Sequence, residues 1–429
     1  MVKKYFFLIF FFIFVSSQVL ANQNKENPKA KGCSYEVTPN YLKNIDNLKI
    51  SLIEIDIHEY KKWTVNGVRI LTNRYRYVPD KYKKRFKSTI TISYDDGSKC
   101  FFKGRVRHSG DEKDHIARVE NSLSQSLDVH LKDGNIKGFT KFKLLRSNTR
   151  GNLEDEILVT EVLRNLNYLA PRTYKVKARV NKITSTMILQ EKAAKEMLEF
   201  NKRRESSILE ADERFFFQSV SKIEDNQLSG WEMGVVPIMN QSSKYMLSKQ
   251  VNSNILEKSE GHKMMSLNSV NKLNLIFLYF SNRFQDELNN FNYFDYDLDN
   301  TLLANFNNQR ISKLDEYNLF MQATNSSHGL AANNRKFYWN SLENYFEPIN
   351  YDSNANINKN LPKKVFRYPL SKNFYSSFDS LQSKLKELNN TKIIKNLKLS
   401  GLNITEKDLN KKIEKISKNL KDLKHNYIN

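Results

Sequence analysis

The feature that most constrains how this 429-residue chain folds is a repeated alternation of apolar and polar residues in its first half. Residues 48–57 alternate almost without interruption, which is typical of a strand that buries one face. Similar alternations recur further along the chain and are separated by turn residues. The pattern predicts strands at 48–57, 88–94, 101–107, 127–131, 141–145, 174–180 and 186–190.

Helical patterns dominate the second half of the chain. Residues 153–166 place apolar side chains on one face, and they follow Asn152, a residue type that caps helices. The same criteria predict helices at 193–200 and 314–323, a mostly helical middle region at 201–310, and a hairpin formed by 336–339 and 346–351.

The last stretch of the chain, 370–429, is rich in Lys and Asn and carries apolar residues at heptad-like spacing. Leu381, Leu385 and Leu388 form one such stripe. We expect this stretch to be helical and peripheral. Strands that come first and helices that come later predict an α+β fold, with an N-terminal antiparallel sheet lobe and a helical C-terminal lobe.

The N-terminus has the three parts of a secretory signal peptide. Lys3 and Lys4 precede an apolar run at 5–15, and Ala21 offers a small residue at its end. This run is too short for a comfortable membrane span, which needs about 20 residues. We expect cleavage after Ala21 and export to the periplasm, the cell envelope or the medium. An uncleaved N-terminal anchor is the competing interpretation.

Export bears on the two cysteines of the chain, Cys33 and Cys100. They follow a segment, 22–32, whose Asn, Lys, Pro and Glu content predicts a disordered leader. An oxidising compartment would let the two cysteines pair as a disulfide, and two free buried thiols are the alternative. Two cysteines are too few for a Cys-rich zinc or iron–sulfur module.

Composition limits the classes of partner. Lys and Arg outnumber Asp and Glu by 69 to 47, but the excess is spread along the chain instead of forming one stripe. This distribution argues against nucleic acid as a partner and favours an ordinary basic surface, to which an anionic surface polymer could also bind. The chain has no Gly-x-Ser-x-Gly, His-Glu-x-x-His or Walker motif, so hydrolase, zincin and P-loop activities have no support.

The first candidate site lies in the segment 103–115. Gly104 and Gly110 flank a strand and turn in which backbone N–H groups could approach a phosphate. Arg105 and Arg107 are two residues apart and would therefore point to the same face of that strand. The alternative is a plain hairpin with solvated arginines.

The second candidate is a lysine in a strand followed by a helix that carries glutamates. Lys143 belongs to the predicted strand 141–145, and Glu156 lies in the first turn of the next helix. A carboxylate held in place by a helix could fix the flexible ammonium so that it faces a phosphate. A surface lysine on an edge strand is the alternative.

The third candidate combines a polar loop with the end of the predicted hairpin. His328 and Asn334 lie in the loop, and Asp352 follows the second strand. The amide oxygen of an Asn and the carboxylate of an Asp are hard ligands of the kind that Mg²⁺ prefers, alongside phosphate oxygens. The alternative is a polar loop and hairpin that bind no ligand.

With these segments in this order, the chain resembles the spore-coat H (CotH) kinase family, a group of secreted or envelope-associated atypical kinases. The resemblance covers roughly residues 100–360 and depends on the ordered set, because each motif is degenerate. The matching segments are Gly104-Arg105-Val106-Arg107, Gly110-Asp111, Phe142-Lys143-Leu144, Glu156-Ile157, Leu169-Ala170-Pro171-Arg172, Leu189-Gln190-Glu191-Lys192, and His328 to Tyr338 with Asp352.

The resemblance implies an atypical kinase-like two-lobe fold that binds ATP with Mg²⁺ or Mn²⁺. It also implies phosphoryl transfer to Ser or Thr of envelope or secreted proteins. The sheet-rich lobe would span 33–192, the helical lobe 193–369 and the tail 370–429. The site residues that it implies are Lys143 as the phosphate-binding lysine, Glu156 as its partner, Glu191 at the interlobe hinge, Asn334 as a metal-side ligand and Asp352 as the main metal ligand.

The sequence departs from the kinase pattern at the catalytic loop. Leu330 stands two positions after His328, where kinases place the catalytic aspartate, and Ser353 replaces the glycine that usually follows the metal aspartate. His328 itself, Asp212 or Glu213 could replace the missing base. The alternative function is that of a non-catalytic member of the same fold, a binding or assembly protein of the cell envelope.

Overall fold

The computed structural model describes residues 32–33, 45–74, 77–119, 122–214, 247–283, 298–361 and 374–428. The predicted signal peptide and all but the last residue of the predicted leader lie outside these residues. The described chain is a mixture of sheets and helices, which confirms the α+β class. Within it, no helix combines the length and the apolar character that crossing a membrane requires.

The strands fall into three sheets. Their bounds in chain order are β1 Gly32–Cys33, β2 Ile50–Ile57, β3 Phe86–Tyr94, β4 Lys99–His108, β5 Ile116–Val119, β6 Ser122–Gln125, β7 Leu127–Leu131, β8 Lys141–Arg146, β9 Thr173–Val180, β10 Ile183–Glu191, β11 Ile208–Ala211, β12 Ser248–Gln250, β13 Lys336–Asn340 and β14 Tyr345–Ile349.

The helices follow the same mixed order along the chain. Their bounds are α1 Tyr60–Thr72, α2 Leu153–Asn165, α3 Lys195–Phe200, α4 Glu260–Arg283, α5 Asn300–Leu303, α6 Asn308–Ala323, α7 Phe374–Lys386, α8 Asn390–Leu399 and α9 Glu406–Ile428. The strands predicted from alternation, the capped helix α2 and the hairpin β13–β14 are confirmed. The sequence analysis did not identify α1, β5 or β6.

The first half of the chain forms a sheet that closes on itself. Its strands run in the order β4–β3–β2–β9–β10–β8–β7, and β7 also pairs with β4. All neighbours are antiparallel except β2 and β9, which are parallel. The sheet therefore differs from the predicted antiparallel lobe, because the chain returns from α2 beside β2 in the same direction and because β7 bridges two strands.

The alternation of apolar residues explains how this closed sheet is filled. Ile53, Ile55, Ile90 and Phe142 are fully buried and belong to one cluster inside it. Successive residues of a strand point to opposite faces, so the polar residues between them face outward. The outer face is the one that can carry charged side chains.

The short strand β1 is attached to the edge of β4. Cys33 lies opposite Cys100 in the antiparallel register, and the two cysteines form a disulfide. Of the two alternatives left open by the sequence, the paired one is therefore found.

A smaller antiparallel sheet forms in the second half, with strand order β12–β11–β13–β14. Two of its strands lie in the region 201–310, which was predicted to be mostly helical, so that prediction is only partly right. The two strands are four and three residues long, too short to show a period, and they form because β11 pairs with β13 of the hairpin and β12 pairs with β11. A parallel bridge between Leu169 and Ile349 connects this sheet to the segment that follows α2.

The C-terminal helices form part of the largest apolar core. Leu381, Leu397 and Leu420 from α7, α8 and α9 are buried with Ile157 of α2 and Phe320 of α6. The predicted helices are confirmed, but the prediction that this stretch is peripheral is wrong. The apolar stripes pack against α2 and α6, and this burial removes from water the surface that a peripheral helix would expose.

Candidate functional site

Lys143 lies on the outer wall of the closed sheet, where that wall meets the second half of the chain. Its neighbours in β8, Phe142 and Leu144, fill the interior, so the lysine points outward. The Lys143 ammonium donates to the hydroxyl of Tyr351 and lies 4.8 Å from the centre of its ring. Tyr351 follows β14, so two segments that are 208 residues apart in sequence meet here.

A second lysine approaches the same tyrosine from the smaller sheet. Lys336 begins β13, and its ammonium lies 4.1 Å from the centre of the Tyr351 ring. It forms an ion pair with Glu210 of β11. Burial opposes the charge of Lys143, but the neighbouring Tyr351 and Asp352 raise its pKa above the ordinary lysine value. Lys143 is therefore a fixed cation at neutral pH.

Asp352 is held in an uncommon backbone conformation next to this pair. Its φ is 50°, in the left-handed region that Asp and Asn adopt more readily than other non-glycine residues. Its Oδ1 forms an ion pair with an Arg150 guanidinium nitrogen at 3.0 Å. Burial alone would raise the pKa of Asp352, but Arg150, His328 and Lys143 together lower it. The carboxylate is therefore ionised.

The loop with His328 and Asn334 packs directly against the Asp352 segment. A Cβ on Gly329 would lie 3.0 Å from the Tyr351 carbonyl oxygen and 3.2 Å from the Cα of Ser353. The Asn334 amide nitrogen lies 3.0 Å from His328 Nε2 and 3.3 Å from its carbonyl oxygen. The amide oxygen of Asn334 is therefore the atom that could ligate a cation. The loop of His328 therefore lies beside the segment of Asp352, as predicted, and Asn334 contacts His328.

Glu156 does not pair with Lys143, so that part of the prediction is wrong. Its Oε2 accepts from the Ser353 hydroxyl at 2.9 Å and from the Ala355 amide at 3.2 Å. The cation beside it is Arg150, whose Nε lies 4.0 Å from Oε1. The first turn of α2 lies over the loop after β14, not over β8. Glu156 therefore anchors the loop that carries Asp352.

The glycines of the first candidate segment have packing roles. Gly104 lies within β4 between β3 and β7, and a Cβ there would lie 2.4 Å from Ile90 Cδ1. Its backbone is part of the sheet, so the predicted phosphate loop is wrong at this position. Gly110 has a φ of 113°, and a Cβ there would lie 2.2 Å from the ring of His115. It allows the imidazole to pack closely against the turn.

The two arginines of that segment share the outer face, as predicted. Arg105 is exposed, whereas Arg107 is half-buried and its Nε lies 3.0 Å from Asp128 Oδ2. Asp128 is almost completely buried and also contacts Arg85, Lys192 and His130, at 3.1, 3.0 and 3.2 Å. Burial opposes ionisation, but His130 and the cations hold the pKa of Asp128 far below its usual range.

Glu191 ends β10, where the chain leaves the closed sheet for the second half. This is the location expected for a hinge residue. Its carboxylate accepts from Arg172 at 2.6 and 2.9 Å, and both side chains are buried. The Glu191 side chain is therefore occupied by Arg172 and is not available to a ligand.

Three further groups at the site were not among the predicted ones: Arg150, Lys336 and Gln190. Gln190 lies directly opposite Lys143 in the β8–β10 register and is 1% exposed. Within the described part of the chain, neither its amide oxygen nor its amide nitrogen has a hydrogen-bond partner. The sequence signal that could have indicated it is a polar residue directly after the apolar run 187–189.

The arrangement fits a phosphate-bearing ligand. Lys143, Lys192 and Arg150 supply positive charge around one ionised carboxylate, and Gln190 offers unpaired donor and acceptor atoms. Burial and the charges of Lys143 and Lys192 lower the pKa of Lys336 well below the ordinary lysine value, so an anionic ligand would favour its charged form. Among the described residues, no group of three or more His, Cys, Asp or Glu side chains could hold a metal ion. A cation here would need phosphate oxygens to complete its ligands beside Asp352 and Asn334, as Mg²⁺ does in nucleotide sites.

Sequence comparisons with known proteins identify no relative for this chain. The sequence matches no profile of a known protein family, and no curated protein matches it.

Proposed function

We propose that this protein is an exported CotH-like kinase that transfers phosphate from ATP to Ser or Thr of envelope or secreted proteins. The observation that carries the proposal is the contact of Lys143 with Tyr351, which joins the wall of the closed sheet to the segment of Asp352. A lysine and an ionised carboxylate brought together from two parts of a fold are what phosphoryl transfer needs for positioning and charge neutralisation.

Each group at the site has a role in this proposal. Lys143 and Lys336 bind the phosphates of the nucleotide. Contacts with the Tyr351 ring limit the motion of both side chains, together with the hydrogen bond of Lys143 to the Tyr351 hydroxyl and the ion pair of Lys336 with Glu210. Asp352 and Asn334 would hold the Mg²⁺ or Mn²⁺ ion, which neutralises phosphate charge when it is bound. Glu156 orients the Asp352 loop through Ser353.

In this proposal the closed sheet and the segment up to 192 correspond to the N-terminal lobe of an atypical kinase, and 193–369 correspond to the helical lobe. The tail at 370–429 extends the core of that second lobe. The predicted signal peptide directs the chain to the periplasm or envelope, and the Cys33–Cys100 disulfide is compatible with an oxidising compartment.

A second candidate function is a non-catalytic member of the same fold that binds a partner in the envelope. Leu330 favours it, because this residue is buried in the apolar core and supplies no proton acceptor where kinases have one. A third function, adhesion to an anionic surface polymer through the basic surface, would show binding that is lost with salt and is insensitive to nucleotide.

The test is nucleotide binding by the purified protein, measured by calorimetry with ATP and either Mg²⁺ or Mn²⁺. We expect metal-dependent binding that is lost in Asp352→Ala and retained in Asp379→Asn, since Asp379 is an exposed carboxylate whose partner is Lys424 on α9. Absence of binding by the folded protein would contradict the proposal. Binding without transfer of a labelled γ-phosphate to any acceptor would favour the non-catalytic function.

A further inference from the structure

The missing catalytic aspartate raises the question of which group accepts the proton of the acceptor hydroxyl. An alcohol is a weak acid, so a positioned base typically contributes about 10²–10⁴-fold to such a step. Leu330 cannot act as one, since it is apolar and packs into the core with α2 and α6. The groups to compare are His328, Asp212 and Glu213.

Asp212 is a poor candidate because its carboxylate is already engaged. Arg214 donates to it from Nε at 2.8 Å and from a terminal nitrogen at 2.5 Å. The hydrogen bonds from Arg214 lower the pKa of Asp212 below its ordinary value. A carboxylate stabilised in this way has little tendency to take a proton. His328 is also engaged, since its Nε2 contacts the Asn334 amide.

Glu213 differs in both position and environment. It follows β11, in which Glu210 pairs with Lys336 of β13, so the antiparallel register continues toward the loop before β13. The Asn333 amide nitrogen donates to Glu213 Oε1 at 2.7 Å, which places the carboxylate beside the residue that precedes Asn334.

The groups that act on Glu213 come from four segments. Asp111 follows β4, Asp352 follows β14, Lys249 lies in β12 and Asn333 precedes β13. Burial and the negative charge of Asp111 raise the pKa of Glu213 to about 7, and the Asn333 hydrogen bond and Lys249 reduce the shift. A carboxyl that titrates near the working pH can take a proton and release it again.

We propose that Glu213 is the general base for the acceptor alcohol, an inference that rests on the proposed function. The acceptor oxygen forms a bond to the γ-phosphorus while its proton passes to a Glu213 carboxylate oxygen. The bond from that phosphorus to the β–γ bridging oxygen breaks, and the nucleoside diphosphate leaves with its electron pair. The hydrogen bond from Asn333 orients the carboxylate for this transfer.

The experiment compares Glu213→Gln, Glu213→Asp and the neighbouring control Asp212→Asn in the full chain. Nucleotide binding is measured by calorimetry with ATP and Mg²⁺. Transfer is measured with γ-labelled ATP, with water and the protein's own hydroxyl groups as acceptors, from pH 5.5 to pH 9, a range set about one and a half units or more either side of the shifted carboxyl.

We expect Glu213→Gln to bind nucleotide within about twofold of the wild type and to transfer phosphate at least about 100-fold more slowly. The acidic limb of the wild-type pH profile should disappear in this variant, Glu213→Asp should recover part of the rate, and Asp212→Asn should stay within about twofold.

Three results would overturn the assignment. A Glu213→Gln variant that transfers at more than about a tenth of the wild-type rate excludes a base role. A variant that loses nucleotide binding makes Glu213 a binding residue instead. A wild-type protein that binds no nucleotide removes the proposed function itself, and the role of Glu213 falls with it.

Discussion

Two aspartates, Asp128 and Asp352, lie beside cations on the same side of the molecule and differ in how they are held. Asp128 is in the middle of β7 and its side chain is 2% exposed, with three cationic side chains and His130 around it. The Asp352 side chain is 28% exposed, has a single direct ion pair, with Arg150, among the described residues, and lies on left-handed backbone.

The difference separates a structural ion cluster from a candidate reactive one. Side chains of β4, β7 and the segments before β3 and after β10 surround Asp128, so its charge contributes to stability. Asp352 is fixed by Arg150 and by the loop that Glu156 anchors, yet it keeps exposed surface that a ligand can reach.

The largest expected effect comes from removing the charge of Asp128. Asp128→Asn leaves the half-buried Arg107 and Lys192 without this counter-charge, which should lower the free energy of unfolding by about 2–4 kcal/mol, less than for a fully buried pair. Chemical denaturation checks this. Because the folded-state pKa is depressed, the stabilisation is present above the unfolded value of 3.8 and is lost as pH falls below it, so the deficit of the variant should shrink in acid. An unchanged midpoint would contradict the structural role.

Asp352→Asn should show the opposite pattern. We expect phosphate transfer to fall at least about 100-fold, since a charged group that acts on the reacting phosphate is removed. The free energy of unfolding should fall by less than in Asp128→Asn, because the buried Arg150 keeps the Glu156 carboxylate as a second counter-charge. Paired denaturation and transfer assays measure both. If stability collapsed while the surviving folded protein transferred normally, the two aspartates would have the same role.

Lys143 gives a smaller effect with a close control. Lys143→Met should weaken nucleotide binding about tenfold, the cost of one charge-assisted hydrogen bond. Lys141 lies two residues earlier on the same outward face of β8 and makes no ion pair with any residue that the structure describes. Lys141→Met should therefore bind nucleotide like the wild type in calorimetry. Equal losses in both variants would indicate nonspecific attraction of the basic surface.

Gln190 should give the smallest change. Replacing its buried, unpaired amide with leucine removes a desolvation cost, so Gln190→Leu should raise the free energy of unfolding by about 1 kcal/mol. The same variant should bind nucleotide more weakly, because the ligand loses a polar partner. A loss of stability in denaturant would show that the amide has a structural partner.

The sequence predicted those parts of the site that depend on local pattern. Alternation in 141–145 placed Lys143 outward, and the loop-plus-hairpin order brought His328 close to Asp352. It could not predict the partner of Glu156, because the direction in which α2 packs depends on the loop after β14. Glu213 was one of three open candidates, and only the tertiary surroundings distinguish it.

The remaining errors also come from long-range packing. Gly104 suggested a phosphate loop, but a closed sheet uses it to admit Ile90. The leucine stripes of 370–429 suggested peripheral helices because a heptad-like pattern does not say which surface covers it. The pairing of β7 with β4 involves strands 20 or so residues apart and depends on the closure of the whole sheet.

The most direct measurement is a crystal structure of the protein with Mg²⁺ and a non-hydrolysable ATP analogue. The account predicts phosphate oxygens within hydrogen-bond distance of the Lys143 ammonium and the cation on the Asp352 carboxylate. The account would be contradicted by an analogue bound elsewhere, with Lys143 still hydrogen-bonded to Tyr351 and Asp352 still paired only with Arg150.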